Sequence, residues 1–184
     1  AVGQKLTEAS ILHFWQHLST KDGLFALCFP LATIVLNGFL GDLSKARLVF
    51  WRWRDPLPGY RAFSTIMHAD PRIDVTRLES RLGTFPSEPK EQNATWYRLY
   101  KLHIDKLTVL EAHRAFLLTR DMSGLAAVFA VCFTLGVSMS VAGWKLTALY
   151  SALLLAQYLV VATSARNYGS RFVANVLAEE SHAP

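Results

Sequence analysis

What most limits the fold of this chain is where its charges are missing. Three stretches hold no Asp, Glu, Lys or Arg: Gly23 to Gly41, Met122 to Trp144, and Leu146 to Ala165. An α-helix rises 1.5 Å per residue, so roughly 20 apolar residues cross a hydrocarbon layer of about 30 Å. All three stretches are long enough. Pro30, Asn37 and glycines interrupt the first, which a membrane helix tolerates where neighbours satisfy its backbone. Composition points the same way, since charged residues make up 18% of the chain against about a quarter in soluble domains. A disordered chain needs the opposite balance. The first stretch follows a 22-residue polar-to-amphipathic lead with no small-x-small cleavage signal, so it reads as a span rather than a leader.

Positive charge sets the expected orientation. Fourteen of the nineteen Lys and Arg residues lie from Asp42 to Asp121, against ten acidic residues, whereas the turn between the last two stretches carries only Lys145. Lys and Arg collect on the cytoplasmic side of membrane ends. The central region and Arg166 are therefore expected inside, and the N-terminus and the Gly143–Lys145 turn outside. Trp144, Tyr150 and Tyr168 suit interfacial positions.

The fold class expected is an all-α membrane protein with three transmembrane helices and a helical cytoplasmic region between the first and second. Residues 1–22 form an interfacial helix with Ile11, Phe14, Trp15 and Leu18 on one face. Residues 23–41, 122–143 and 146–165 are the spans, 42–121 the basic helical region, and 166–184 a cytoplasmic helix and tail that frays from Glu179. Within the basic region, Leu43 to Arg54 continues helical until Asp55-Pro56-Leu57-Pro58-Gly59 ends it. Asp74 caps a short helix carrying Val75, Leu78 and Leu82, and Gly83 closes it. From Pro89 a single helix is expected through Arg120 and on into the second span. Its seam is Trp96, Leu99, His103, Leu107, Leu110, Arg114 and Leu117 at steps of three and four.

Catalytic signatures are few. The chain has no Gly-rich phosphate loop, Gly-x-Ser-x-Gly elbow, His-Glu-x-x-His or Cys-x-x-Cys. His13 and His17 stand four apart without a third ligand, and Cys28 and Cys132 fall inside apolar stretches, so no metal, cofactor or catalytic set is expected. A lipid-directed enzyme would have to use His103 or His113. Within the spans, Asn37, Ser138 and Gln157 are the polar residues available to line an ion path. Interhelical hydrogen bonding is the plainer use of Asn37 and Gln157.

The densest local signal is Trp51-Arg52-Trp53-Arg54-Asp55-Pro56-Leu57-Pro58-Gly59-Tyr60-Arg61, three guanidiniums and three large aromatics beside the first span. Arginine grips phosphate in a planar fork, and Trp and Tyr stack on bases. Candidate ligand-binding residues are Arg52, Arg54, Arg61, Trp51, Trp53, Tyr60 and Arg72. The same residues equally suit headgroup anchoring, because basic segments attract anionic lipid.

With this loop set against membrane spans, the layout resembles the small bacterial membrane effectors of nucleotide-signalled antiphage defence. These include two-transmembrane effectors and the channel-forming effector of the Hailong system, which is paired with a nucleotidyltransferase. The resemblance implies a homo-oligomeric, non-enzymatic ion channel of the bacterial inner membrane, serving antiviral defence. It would be gated by an anionic nucleotide or oligonucleotide at the basic cytoplasmic surface. The partners expected are membrane lipids, further copies of the chain, a nucleotide or short nucleic acid, and a nucleotidyltransferase or other soluble protein. The alternative is a non-catalytic scaffold that anchors a soluble partner through the long helix.

Overall fold

The computed structural model describes residues 31–139 and 143–183, and no strand occurs among them. The elements are α1 (residues 31–39), α2 (Asp42–Phe50), a 3₁₀ turn (Pro58–Arg61), a π-helical turn (Ala62–Ile66), a short helical turn (Met67–Ala69), α3 (Val75–Leu82), α4 (Pro89–Leu102), α5 (Leu107–Met139) and α6 (Trp144–His182). α1 belongs to one compact unit and every element from Leu40 onward to another. The expected surface helix over residues 1–22, and the first stretch before residue 31, lie outside the described residues.

Helices α5 and α6 form an antiparallel hairpin. Thr108 meets Asn175 and Glu179, His113 and Phe116 stack on Phe172, and Phe116 lies beside Gly169, so rising numbers on one helix meet falling numbers on the other. At 1.5 Å per residue, α5 is about 50 Å long and α6 about 58 Å, from their 33 and 39 residues. Both are long and apolar enough to cross a membrane, and within their most apolar windows only 11% and 6% of residues are buried. A core helix of a soluble protein would bury that window. Burial is instead confined to the opposite end, at Val109 to Gly124 on α5 and Ala162 to Ser181 on α6. Among the described residues from 125 to 161 none is buried. The hairpin is therefore half packed into a helical head and half bare.

The head is organised around α6. Phe172 through Leu177 are six consecutive buried residues, as expected of a helix enclosed on all sides. Phe172 sits at the centre, edge-on to Trp96 and Tyr100 at 5.2 Å and stacked with His113 at 4.7 Å. Gly169 permits this packing, because a Cβ there would lie 2.9 Å from Phe50 Cζ and 3.0 Å from Phe116 Cε2. α3 forms as its residues require: the Asp74 carboxylate accepts from Arg77 N–H, Leu78 is buried, and Gly83 ends it at φ 75°. The π-helical turn has a specific support. Buried Gln92 accepts from the N–H groups of Phe63 and Ser64 at 3.2 and 3.1 Å and donates to Ser87 O at 3.0 Å.

Three expectations are corrected. The single helix from Pro89 to Arg120 breaks between His103 and Lys106, where the turn is closed by His103 N–H to Leu99 and Tyr100 O and by Lys106 N–H to His103 O. The cause is long-range, because His103 is drawn to buried Glu180 at 2.7 Å. The continuous seam consequently splits: Trp96, Leu99 and His103 are buried, while Leu107 and Arg114 are exposed. α5 packs instead through Val109, Ala112, Phe116, Arg120 and Ser123. The helix expected through Arg54 ends at Phe50, where Trp51 enters the left-handed region at φ 52°. The C-terminal helix does not fray at Glu179, since Glu180 and Ser181 are buried and helix continues to His182.

Candidate functional site

The Trp/Arg loop leaves α2 at the level where the hairpin turns bare. Trp51 and Asp55 both have positive φ, 52° and 48°, a conformation disfavoured for residues with a Cβ. Here it turns the chain sharply on either side of Arg52-Trp53-Arg54. Tertiary contacts hold it there. The Trp51 indole N–H donates to Tyr158 Oη at 2.9 Å, and Tyr158 in turn donates to Leu48 O at 2.7 Å. Arg166 lies over the Trp51 ring, its guanidinium carbon 3.5 Å from the centroid, and its Nε donates to Val49 O. Arg47 Nε donates to Trp53 O at 3.2 Å. Tyr158 lies within the third apolar stretch and Arg166 ends it, so the loop is clamped to α6 at the edge of its bare half.

Facing outward, the loop forms an open groove of about 400 Å³ lined by Ser44, Arg47, Leu48, Trp51, Arg52 and Trp53. Trp53 is 82% exposed and Trp51 55%. Apolar rings and guanidiniums thus share one surface, the combination that sits well at a headgroup boundary or under a phosphorylated aromatic ligand.

Among the arginines, Arg72, Arg77, Arg81 and Arg120 each hold a carboxylate. The loop's Arg52, Arg54 and Arg61, like Arg47, Arg98, Arg114, Arg166 and Arg171, enter no ion pair among the described residues. Burial, together with the like charge of Arg52, lowers the pKa of Arg61 from its ordinary value. That couples two cations with no anion between them. Tyr60 is half-buried on the 3₁₀ turn beside them. Arg72 is not brought to this loop. It forks onto Asp70 at 2.6 Å and reaches Asn175 at 3.0 Å, nine residues along α6 from Arg166, or about 13 Å. The hydrogen bond to Asp70 raises its pKa and lowers that of Asp70.

Just inside the head, the start of the apolar stretch is marked by a charged belt. Lys45 Nζ pairs with Asp121 at 3.2 Å, and Arg120 reaches Asp42 at 2.9 Å and Asp121 at 3.1 Å. Lys45 is buried beside that partner. Sequence reading did not single out this belt, nor Tyr158 and Arg166 as the clamp. The pairing partners are 76 positions apart for Lys45 and Asp121 and 107 for Trp51 and Tyr158.

The expected pore residues are not part of the Trp/Arg loop. Asn37 lies on α1 in the other unit. Ser138, near the hairpin tip, donates to Leu135 O at 2.8 Å, and Gln157 is exposed on the bare part of α6. Among the described residues no three His, Cys, Asp or Glu side chains converge to hold a metal. His103 is bound to Glu180 and His113 to the Tyr100 hydroxyl at 3.2 Å. The His13–His17 pair and Cys28 lie outside the described residues, while Cys132 is an exposed thiol on bare α5. Comparison with known proteins finds no matching family model, no matching curated protein and no matching solved structure.

Proposed function

We propose that this chain is a multi-pass protein of the bacterial inner membrane whose copies assemble into an ion channel opened from the cytoplasmic side by an anionic, nucleotide-like ligand. In this reading the head and the Trp/Arg loop face the cytoplasm, the first apolar stretch is a third span, and Arg52, Arg54 and Arg61 hold the ligand. One observation carries it: three arginines without a carboxylate, Arg52, Arg54 and Arg61, are clustered on a loop whose first residue, Trp51, is bonded to Tyr158 and covered by Arg166 on α6. A ligand that shifts this loop shifts the helix it grips, and differential affinity for two positions of that helix is what gating requires. The bare hairpin supports assembly, because Ser138 and Gln157 are exposed polar residues on its apolar half. The basic central region supports the sidedness, and the resemblance to antiphage membrane effectors supports the setting.

The test is ion flux from liposomes holding the purified protein, with short oligonucleotides or cyclic dinucleotides added outside. Replacing Arg52, Arg54 and Arg61 together by Gln is expected to abolish the ligand-dependent flux. Unchanged gating in that variant overturns the site, and absence of flux with any such ligand overturns the channel. A second reading, a non-catalytic scaffold for a soluble partner, draws on an open groove of about 700 Å³ between the segment around Phe85 and α4, lined by Arg81, Glu91 and Arg98 among others. Purification as a stable one-to-one heteromer without flux would favour it.

A further inference from the structure

The groove beside the Trp/Arg loop has two walls. Ser44, Arg47 and Leu48 stand three and four positions apart on one face of α2, and Trp51, Arg52 and Trp53 come from the loop that follows. The walls are tied together, because Arg47 Nε donates to Trp53 O at 3.2 Å, and Trp51 is fixed by Tyr158 and Arg166. A site of about 400 Å³ is thus formed before anything enters it.

The donors around this groove are unspent. Among the described residues the Arg52 side chain makes no hydrogen bond or ion pair, and the Arg47 guanidinium bonds only to Trp53. The Ser44 hydroxyl has no partner there either. Two guanidiniums and a hydroxyl make the donor set that a phosphodiester takes up. No carboxylate lines the groove, which favours a headgroup of net negative charge, since a choline would bring a third cation against the two arginines.

The apolar part of the groove is just as open. Trp51, Trp53 and neighbouring Leu43 are exposed, and Leu48 is half-buried. A small water-soluble phosphate leaves these side chains wet, whereas acyl chains cover them. The level of the groove points the same way. Trp51 bonds to Tyr158, eight positions before Arg166, or about 12 Å along α6. Tyr158 belongs to the charge-free stretch, and Leu155 and Leu159 near it are exposed. The two arginines therefore stand against the apolar half of the hairpin, at its edge, where phosphate headgroups meet a membrane protein.

We infer that this groove holds one anionic phospholipid, its phosphodiester on Arg47 and Arg52 with Ser44 donating, and its acyl chains along Leu48 and Trp53. A site for a single molecule goes beyond the general attraction of a basic segment for an acidic surface. The inference rests on the membrane location of the hairpin and not on a channel. Arg52 is common to this groove and to the proposed nucleotide site, so the test turns on Ser44 and Arg47, which that site does not use.

The experiment titrates the full chain in detergent with phosphatidylglycerol, with phosphatidylcholine, and with glycerol phosphate, a water-soluble phosphate without acyl chains. Native mass spectrometry counts the molecules bound. One phosphatidylglycerol per chain is expected at saturation, with phosphatidylcholine about tenfold weaker and glycerol phosphate unbound over the same range. Arg47→Gln should weaken phosphatidylglycerol about tenfold. Ser44→Glu, which sets a carboxylate in the groove and breaks no bond that holds the loop, should do the same even if Arg47→Gln fails to fold. Arg98→Gln, an equal loss of charge on α4, should change nothing. Equal binding of the two lipids, lipid binding indifferent to both groove variants, or an equal loss in Arg98→Gln overturns the inference. Glycerol phosphate bound as tightly as the lipid overturns it too, by assigning the groove to a free phosphate. None of these measurements reports ion flux, so failure here leaves the channel reading standing.

Discussion

Glu180 and His103, 77 positions apart in the chain, meet at 2.7 Å in the interior of the head. The other oxygen of the same carboxylate takes Arg81 Nε at 3.0 Å. One acidic side chain thereby ties together the end of α6, the break between α4 and α5, and the last turn of α3. This is why the C-terminal turn stays ordered and why α4 stops where it does. Removing the carboxylate leaves the buried His103 ring without its partner and takes one contact from the exposed Arg81, at a cost of about 3 kcal/mol. Glu180→Ala is expected to lower the unfolding temperature by roughly 10 °C, measured by circular dichroism in detergent, while Glu179→Ala changes it little.

Lys45 and Asp121 make a second test of pairing. Asp121→Leu leaves the buried Lys45 ammonium without its carboxylate and should cost about 3–5 kcal/mol. Lys45→Met with Asp121→Leu removes both charges, and most of that loss should return. Thermal unfolding of the two single variants and the double variant closes the cycle. A double variant as weak as Asp121→Leu would show that the pair does not act as a unit.

Gly169 marks the tightest crossing in the head. Gly169→Ala puts a methyl against Phe50 and Phe116, whose rings leave no room for it. The expected cost is about 1–3 kcal/mol, as overpacking of a filled core usually brings. Phe50→Leu in the same background should recover part of it, and denaturation midpoints are the readout.

His113 gives the head a pH dependence of defined sign. Burial and Arg120 hold its pKa below the ordinary histidine value. As pH falls through about 6.5 the unfolded chain takes up this proton while the folded chain does not, so stability is full above that pH and declines below it. The unfolding temperature should fall between pH 7.5 and pH 5.5, and His113→Phe should flatten that fall. An unchanged slope would assign the pH effect to other groups.

The sidedness of the Trp/Arg loop is open to thiol labelling. With Cys28 and Cys132 replaced by Ala, Trp53→Cys should react with a membrane-impermeant maleimide only after cells are opened, and Lys145→Cys should react in intact cells. The reverse pattern would put the basic loop outside and remove the proposed cytoplasmic sensing with it.

Local signals in the sequence proved readable where local forces decide. Asp74, Leu78 and Gly83 give α3 its cap, its buried contact and its stop, whereas the helix expected to run to Asp55-Pro56 stops at Phe50, before those breakers act. Charge-free stretches identify the bare halves of α5 and α6 for the same reason, since exposure of apolar side chains follows directly from composition. What was not legible depends on partners far along the chain. Nothing between Ala94 and Arg120 predicts a break, because it arises from Glu180. Arg72 looks as free as Arg52 until Asp70 and Asn175 claim it. Gln92 looks like a surface residue of α4, yet it is buried, serving the amides of a π-helical turn that no periodicity announces. In the candidate site the cluster Trp51 to Arg61 was visible, but its clamp was not, since Tyr158 reads as one more residue of an apolar helix.

α6 runs unbroken from Trp144 to His182, so a single stiff rod serves both the bare hairpin and the centre of the head. No joint stands between them to absorb a change of angle. In a bilayer that thins or thickens, the rod must tilt to keep its apolar half immersed, and Phe172 and Glu180 swing with it. Whatever angle the bare half adopts is therefore passed undamped to the aromatic packing around Phe172.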